Sequence, residues 1–328
     1  MIKNLYYIDG AGSDPHYNLA VEQYLLEHLQ PGDYVLYLWQ NQNTVVIGAN
    51  QNAWTECRVS LLEEENGTLA RRLSGGGAVF HDLGNLNFTF LSPTDIHDLD
   101  KQIRVIASAC AMAGIRAERS GRNDILAQGR KFSGNAFYHS QGNSYHHGTL
   151  LIHADMDKLQ RYLSPSKAKL DAKGVASVRS RVVNLSELAP DLTIDRMRQN
   201  MKAAFEAEFG MAATPITLSE DALAEIAALA EKNRSWEHLF GTPLPFSFSC
   251  EDRFSWGGIL LELDAKGGTI QAVRVYSDAM DWHLPPMIET ALTGCRFTKQ
   301  DMISALENAI NDASVCQDLC GLIQSQDL

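Results

Sequence analysis

The densest chemistry in the chain lies in RRLSGGGAVFHDLGN, Arg71 to Asn85. Three consecutive glycines, Gly75, Gly76 and Gly77, lower the steric cost of unusual backbone angles and let a ligand approach the main chain closely. Exposed N–H groups in such a loop can cradle an anion. Arg71 and Arg72 set fixed positive charge just before it, and a guanidinium fork suits carboxylate or phosphate. A lone triple glycine would read as a surface turn. Here Arg72, Ser74 and His81 put donors on both sides and the segment runs straight into a strand, so it reads as a ligand loop.

Three further segments carry polar chemistry. In GRNDILAQGRKFSGNAF, Gly121 to Phe137, Lys131 stands among glycine and serine, where an ammonium can act as a point charge on an acyl or phosphoryl oxygen. Taken alone it is equally an exposed loop lysine. Asn123-Asp124 is either a simple turn or a source of ligands for a metal–phosphate complex. His146 and His147 are adjacent on a strand-like run and therefore point to opposite faces. One is expected to face a pocket and the other to pack or be solvated. KAKLDAKGVASVRSRVVN, Lys167 to Asn184, holds five basic residues, Lys167, Lys169, Lys173, Arg179 and Arg181, against one acid, Asp171. It is either a solvated positive loop or a long ordered loop that closes over a nucleotide.

The elements that must position these residues follow from periodicity. Ser13-Asp14-Pro15 starts a helix that Pro31-Gly32 ends. Tyr34–Gln40 and Thr44–Gly48 read as two strands around an Asn-Gln-Asn turn. Trp54–Glu65 reads as one helix, and Asn85–Leu91 alternates polar and apolar like a half-buried strand. Helices are expected over Leu99–Ala113, closed by Gly114, and over Asp155–Leu163, Thr193–Phe209 and Ser219–Lys232. Strands are expected at Asp124–Ala127 and His146–Ala154. Thr242–Ser249, with two prolines, is the best linker. Beyond it a hairpin over Phe254–Val275, turning at Ala265 to Gly268, precedes helices near Leu284–Leu292 and Thr298–Ala313. Strands and helices mix without a regular βαβ alternation, which favours an α+β fold with a mixed sheet.

Composition bounds the rest. The 328 residues are more than one core usually serves, so two domains are expected, 1–245 and 246–328. With 28 Lys plus Arg against 40 Asp plus Glu, the net charge of −12 argues against non-specific nucleic-acid binding. There is no signal-peptide core or membrane-length apolar run, so a cytoplasmic protein without membrane attachment is expected. The six cysteines, Cys57, Cys110, Cys250, Cys295, Cys316 and Cys320, are too thinly spread for a disulfide framework and read as reduced thiols. Cys316 and Cys320, at i and i+4 on a helix, lack the further ligands a zinc site needs.

In this order, RR-x-SGGGAVFHDLGN, GRND, R-K-x-SG-x-A, HHGTLL and KG-x-x-SVRSRV-x-NL resemble the lipoate–protein ligase family, nearest its bacterial two-domain form. NLAVE (Asn18 to Glu22), TVVIG and RFSWGG (Arg253 to Gly258) extend the likeness over most of the chain. The resemblance implies a mixed-sheet catalytic domain of the biotin/lipoate ligase type with a small mobile C-terminal α+β domain. It implies an enzyme that activates lipoate with ATP and Mg²⁺ to lipoyl-AMP and passes the lipoyl group to a lysine of acceptor lipoyl domains (2-oxoacid dehydrogenase E2 subunits, glycine cleavage H protein). On that pattern Arg72, Ser74, His81 and His147 bind lipoate. Gly75, Gly76, Gly77, Ala78, Val79, Asn123, Asp124, Lys131, Val178 and Ser180 meet the nucleotide or adenylate. Lys131 is the catalytic residue and Asp124 a metal ligand.

The chemistry is consistent with this. A carboxylate repels the triphosphate it must attack, so the site needs Lys, Arg, backbone N–H groups and a metal to hold both anions. The acyl tail needs an apolar tunnel, for which Val79, Phe88 and Phe90 are candidates. A monomer is expected, with the basic Lys167–Arg181 stretch docking an acidic acceptor. The rivals are an octanoyl or lipoyl transferase, which would need a cysteine nucleophile that the motifs lack, and a non-catalytic lipoate-binding protein, which could dispense with Lys131. A biotin ligase fits less well because its glycine loop differs.

Overall fold

The computed structural model describes residues 1–121, 123–163, 182–241 and 248–326. In chain order its strands are β1 (Asn4–Asp9), β2 (Asp33–Trp39), β3 (Thr44–Ile47), β4 (Thr68–Arg71), β5 (Val79–His81), β6 (Asn85–Pro93), β7 (Ala117–Ser120), β8 (Asp124–Ala127), β9 (Arg130–Ser140), β10 (Asn143–Leu151), β11 (Thr214–Pro215), β12 (Phe248–Phe254), β13 (Gly257–Lys266) and β14 (Thr269–Ser277). Among the described residues, the main sheet runs β11-β1-β2-β6-β10-β9-β8-β7. It is mixed: β1 lies parallel to β2 and β11, while β2, β6, β10, β9, β8 and β7 pair antiparallel in turn. A smaller sheet, β4-β3-β5, lies beside it.

Strand β2 shows how one sequence serves two layers. Alternate side chains point to opposite faces. Tyr34, Leu36 and Leu38 enter a core with Val105, Ile106, Met197 and Phe205, from the helices Leu99–Ala111 and Ile194–Phe209. Val35, Tyr37 and Trp39 enter a second core with Leu19, Val21 and Leu25 of the helix Pro15–Glu27. Helix starts follow the capping residues: Asp98, Thr193 and Ser219 each accept a bond from the backbone N–H three residues on.

Three expectations are corrected by tertiary pairing. The strands β2 and β3 do not form a hairpin: β3 leaves for the small sheet, parallel to β4 and antiparallel to β5. The intervening Asn41 is held by Asn18, whose amide nitrogen donates to Asn41 Oδ1 at 3.0 Å and to Gln40 O at 2.8 Å. The stretch expected as a single helix over Trp54–Glu65 is two, Ala53–Glu56 and Val59–Glu64. Cys57 between them is extended and bridged to Leu163. Strand β6 is buried on both faces rather than one. Leu86, Phe88 and Phe90 join the core, whereas Asn87 turns toward a cavity.

The C-terminal domain is the antiparallel sheet β12-β13-β14 covered by helices Leu284–Leu292, Lys299–Ala309 and Ala313–Ser325. Its core includes Leu261, Leu263, Val275, Ile288, Leu306 and Ile323. Gly267 and Gly268 both take positive φ, 61° and 74°, as a tight two-residue hairpin turn demands. The expected hairpin is there, but β12 adds a third strand that begins inside the expected linker. The helix carrying Cys316 and Cys320 adds a third helix. Residues 242–247, with the expected boundary at 245, lie outside the described residues.

Candidate active site

A cavity of about 640 Å³ opens where the glycine loop, β6, β8, β9, β10 and the C-terminal domain converge. Its wall includes Arg72, Gly76, Gly77, Ala78, Val79 and His81 from the loop segment, Asn123, Asp124 and Lys131 from the second motif, and His147 from the third. Sequence motifs far apart in the chain therefore meet in one place.

The buried half is tied together by an interlocked set of hydrogen bonds. Glu22, 2% exposed, faces His147 Nδ1 at 2.9 Å and accepts from Thr89 Oγ1 at 2.7 Å. Trp39 Nε1 donates to Thr89 Oγ1 at 3.0 Å. His147 Nε2 lies 2.8 Å from Ser74 Oγ, which also accepts from Arg72 Nε at 3.1 Å. A carboxylate only accepts, so His147 Nδ1 carries the proton facing Glu22, and the Ser74 hydroxyl is free to donate to Nε2. Arg72 then donates to the carbonyls of Val46, Gly75 and Gly77. The chain Glu22–His147–Ser74–Arg72 thus ends on the glycine loop and fixes its path. Burial lowers the Arg72 pKa to about 10, still charged at neutral pH. His81 is held down to about 3, first by burial and then by Arg72 and His147.

Gly76 has φ +91°, and a Cβ there would stand 3.2 Å from both Arg72 Nη2 and Met280 Sδ. Its N–H donates to Ala279 O at 2.9 Å, so the C-terminal domain already engages a loop donor. Asn50 reinforces the contact, its Nδ2 donating to Trp282 O and its carbonyl accepting from Ser277 N–H.

The other half is open. Lys131 Nζ and Asp124 Oδ1 form an ion pair at 2.6 Å, each side chain more than a third exposed. Asn123 turns its amide toward Met280 Sδ at 3.7 Å. Arg253, paired with Asp278 at 3.2 Å, and Trp256 bring the RFSWGG segment to the same wall. Among the described residues no group of three or more His, Cys, Asp or Glu could hold a metal ion. Asp124 contributes one carboxylate to this wall.

Several expected placements change. Ser74 is fully buried behind the wall, between Arg72 and His147, and Gly75 is pressed against Ala279 O, where a Cβ would come within 2.4 Å. Both act on the cavity through neighbours. Phe88 and Phe90 face the opposite core, where they pack against His146. His146 bonds Gln102 and Asn135, and burial lowers its pKa far below the usual value. Val178 and Ser180, with most of the Lys167–Asn184 segment, lie outside the described residues. Sequence reasoning gave no site role to Glu22, Trp39, Asn87 or Met280. The polar positions alternating through β6 were the available signal for Asn87, and NLAVE for Glu22.

Residues 14–206 match the family model of the lipoyl protein ligase A/B catalytic domain, and residues 244–318 that of the bacterial lipoate protein ligase C-terminus. Lipoate-protein ligase A of Psychrobacter cryohalolentis is 41% identical over 303 residues, 90% of this chain and 89% of that protein. The chain belongs to the lipoate–protein ligase A family. It is accordingly an enzyme, a lipoate–protein ligase. Among solved structures, Plasmodium falciparum LipL1 in complex with lipoate superposes with a TM-score of 0.87 at 25% identity, covering 98% of this chain and 99% of that one. A lipoate-protein ligase A bound with ATP gives 0.64 at 26% identity, covering 74% and 99%.

The thiols are placed as a ligase without a cysteine nucleophile would have them. Cys57 and Cys110 are buried, neither lines the cavity, and burial pushes both pKa values up to about 12. No helix among the described residues is long and apolar enough to cross a membrane.

Proposed function

We propose that this ligase works in two steps in the one cavity. The lipoate carboxylate attacks the α-phosphorus of ATP, forming lipoyl-AMP as the bond to pyrophosphate breaks. The amine of an acceptor lysine then attacks the acyl carbon, AMP leaves, and the amine proton is lost to solvent. The observation that carries this reading is the union of a buried, pre-bonded half with an open half holding Lys131 and Asp124. The relatives described with lipoate and with ATP support it.

On this reading Arg72, His81 and His147 form the lipoate end. Ser74 holds Arg72 and His147 in place. Gly76 to Val79 present backbone to the adenylate, and Asn123, Asp124 and Lys131 face the nucleotide. Lys131 stabilises charge on the carboxylate and phosphate oxygens as they are brought together. Mg²⁺ would arrive with the triphosphate, held by Asp124 and phosphate oxygens, and would neutralise phosphate charge. The Gly76 N–H must exchange Ala279 O for a ligand oxygen if the loop is to bind the adenylate, so the C-terminal domain has to shift. The acceptors are lipoyl domains of the E2 and H-protein type.

The test is incubation with lipoate, ATP and Mg²⁺ without any acceptor. Lipoyl-AMP detected by mass spectrometry, with lipoate-dependent pyrophosphate release, is the expected result. A folded enzyme that yields neither, yet binds lipoate, overturns the adenylation reading.

A further inference from the structure

Of the buried polar atoms left over by the bonding just described, two belong to residues that line the cavity. His81 is 4% and Asn87 1% exposed, and His81 Nε2 and Asn87 Nδ2 have no hydrogen-bond partner among the described residues. Both residues line the cavity and both flank Trp39: the His81 and Trp39 rings lie 6.2 Å apart, and Asn87 is the cross-strand partner of Trp39.

The identity of the free His81 atom follows from its neighbours. Asn18 Nδ2 donates to the carbonyls of Gly12 and Gln40 and to Asn41 Oδ1. That fixes Asn41 with its amide nitrogen toward His81 Nδ1, 3.2 Å away. Nδ1 must accept, so the neutral ring carries its proton on Nε2. As placed, Asn87 Oδ1 accepts from Asn85 Nδ2 at 2.8 Å, which leaves the Asn87 amide nitrogen and Asn85 Oδ1 without a partner among the described residues. The cavity therefore contains two buried N–H donors. A buried donor without an acceptor is costly, and a ligand that supplies one is favoured over one that cannot.

Their position says which part of the ligand they meet. From Lys131 on β9 the sheet order passes through β10 to Asn87 on β6 and Trp39 on β2. At about 4.8 Å per strand, Asn87 lies about 10 Å and Trp39 about 14 Å across the sheet from the strand of Lys131. That is the reach of an extended octyl-length acyl chain whose carboxylate sits by Lys131.

We infer that Asn87, together with His81, is a specificity-determining residue that meets the distal end of the acyl chain and selects a chain ending in hydrogen-bond acceptors, the cyclic disulfide of lipoate, over one ending in a methyl group. Sulfur is a weak acceptor, but octanoate offers none and leaves both donors unpaired. The inference rests on the proposed orientation of lipoate in the cavity.

The test compares lipoate and octanoate in acid-dependent pyrophosphate exchange, for wild type, Asn87→Leu and Asn87→Thr. Wild type is expected to favour lipoate in kcat/KM. Asn87→Leu should shrink the lipoate-to-octanoate ratio by about tenfold. Asn87→Thr, which keeps a donor, should fall between and serves alone if the leucine variant does not fold. Equal use of both acids by wild type, or a ratio unmoved in a folded Asn87 variant, overturns the inference. Exchange with neither acid defeats the adenylation reading instead, and the same ratio is then read from calorimetric binding of the two acids without ATP.

Discussion

The two halves of the cavity are built on opposite principles. At the buried end Glu22, Thr89, His147, Ser74 and Arg72 are almost free of solvent and bonded in series. At the open end Lys131 and Asp124 pair with each other, with more than a third of each side chain exposed. The bonded series is in place before a ligand arrives, because unpaired polar groups cost free energy in a low-dielectric interior. A half-exposed ion pair costs little to make or break. On the proposed function the difference is a division of labour: the acid is received by a preformed end, and the nucleotide by an end that rearranges around it.

The comparison can be broken most sharply at Lys131. Lys131→Ala should lower lipoate-dependent adenylation by about a hundredfold to a thousandfold, the usual loss when a positioned charge donor is removed. Its melting temperature should hardly move, because an exposed ion pair is worth about 1 kcal/mol or less. A large drop in stability would show that the open end is structural after all.

Glu22→Gln probes the other end. It replaces a charged acceptor facing His147 Nδ1 and Thr89 Oγ1, and should cost about 1–3 kcal/mol of stability with a raised KM for lipoate. Denaturant unfolding and the KM measurement check both. If adenylation were lost while stability and KM stayed unchanged, the network would be catalytic rather than preorganising.

A third test uses pH. The folded pKa of His81 is depressed to about 3 from an ordinary 6.5, so between those values the unfolded chain binds the extra proton. Stability from this group is fully present above about pH 6.5 and is lost as the pH falls toward 3, at about 1.4 kcal/mol per unit. His81→Gln should flatten the acid limb of the stability curve by that slope between about pH 4 and 6. An unaltered limb would mean that His81 is not held neutral by its burial.

The smallest effect is expected at the domain contact. Asn50→Ala removes the amide bond to Trp282 O and should cost about 1 kcal/mol or less, read as earlier opening of the C-terminal domain in hydrogen exchange.

The open end was the more legible in the sequence. Lys131, Asp124 and the glycines sit in short local motifs, and a polar cluster amid glycine reads as a loop made for ligands. The mixed sheet, the small C-terminal domain and most helix ends could be read from periodicity and capping residues such as Asp98 and Thr193. The buried end was legible only in pieces, because its bonds join residues as distant as Glu22 and His147. The alternation in Asn85–Leu91 was visible, but it was read as a strand facing water. Its polar face turns instead into the interior, where Asn87 lines the cavity and Thr89 completes the network. The parting of β2 and β3 was invisible for the same reason: the bonds of Asn18 to Gln40 and Asn41 that set the turn come from another element.

The division of labour is tested most directly by measuring lipoate binding and lipoate-dependent pyrophosphate exchange on the same Lys131→Ala preparation. The account predicts a calorimetric lipoate Kd within a few-fold of wild type while exchange falls by about a hundredfold or more. Lipoate binding that collapses together with exchange, or exchange that stays near the wild-type rate, would contradict it.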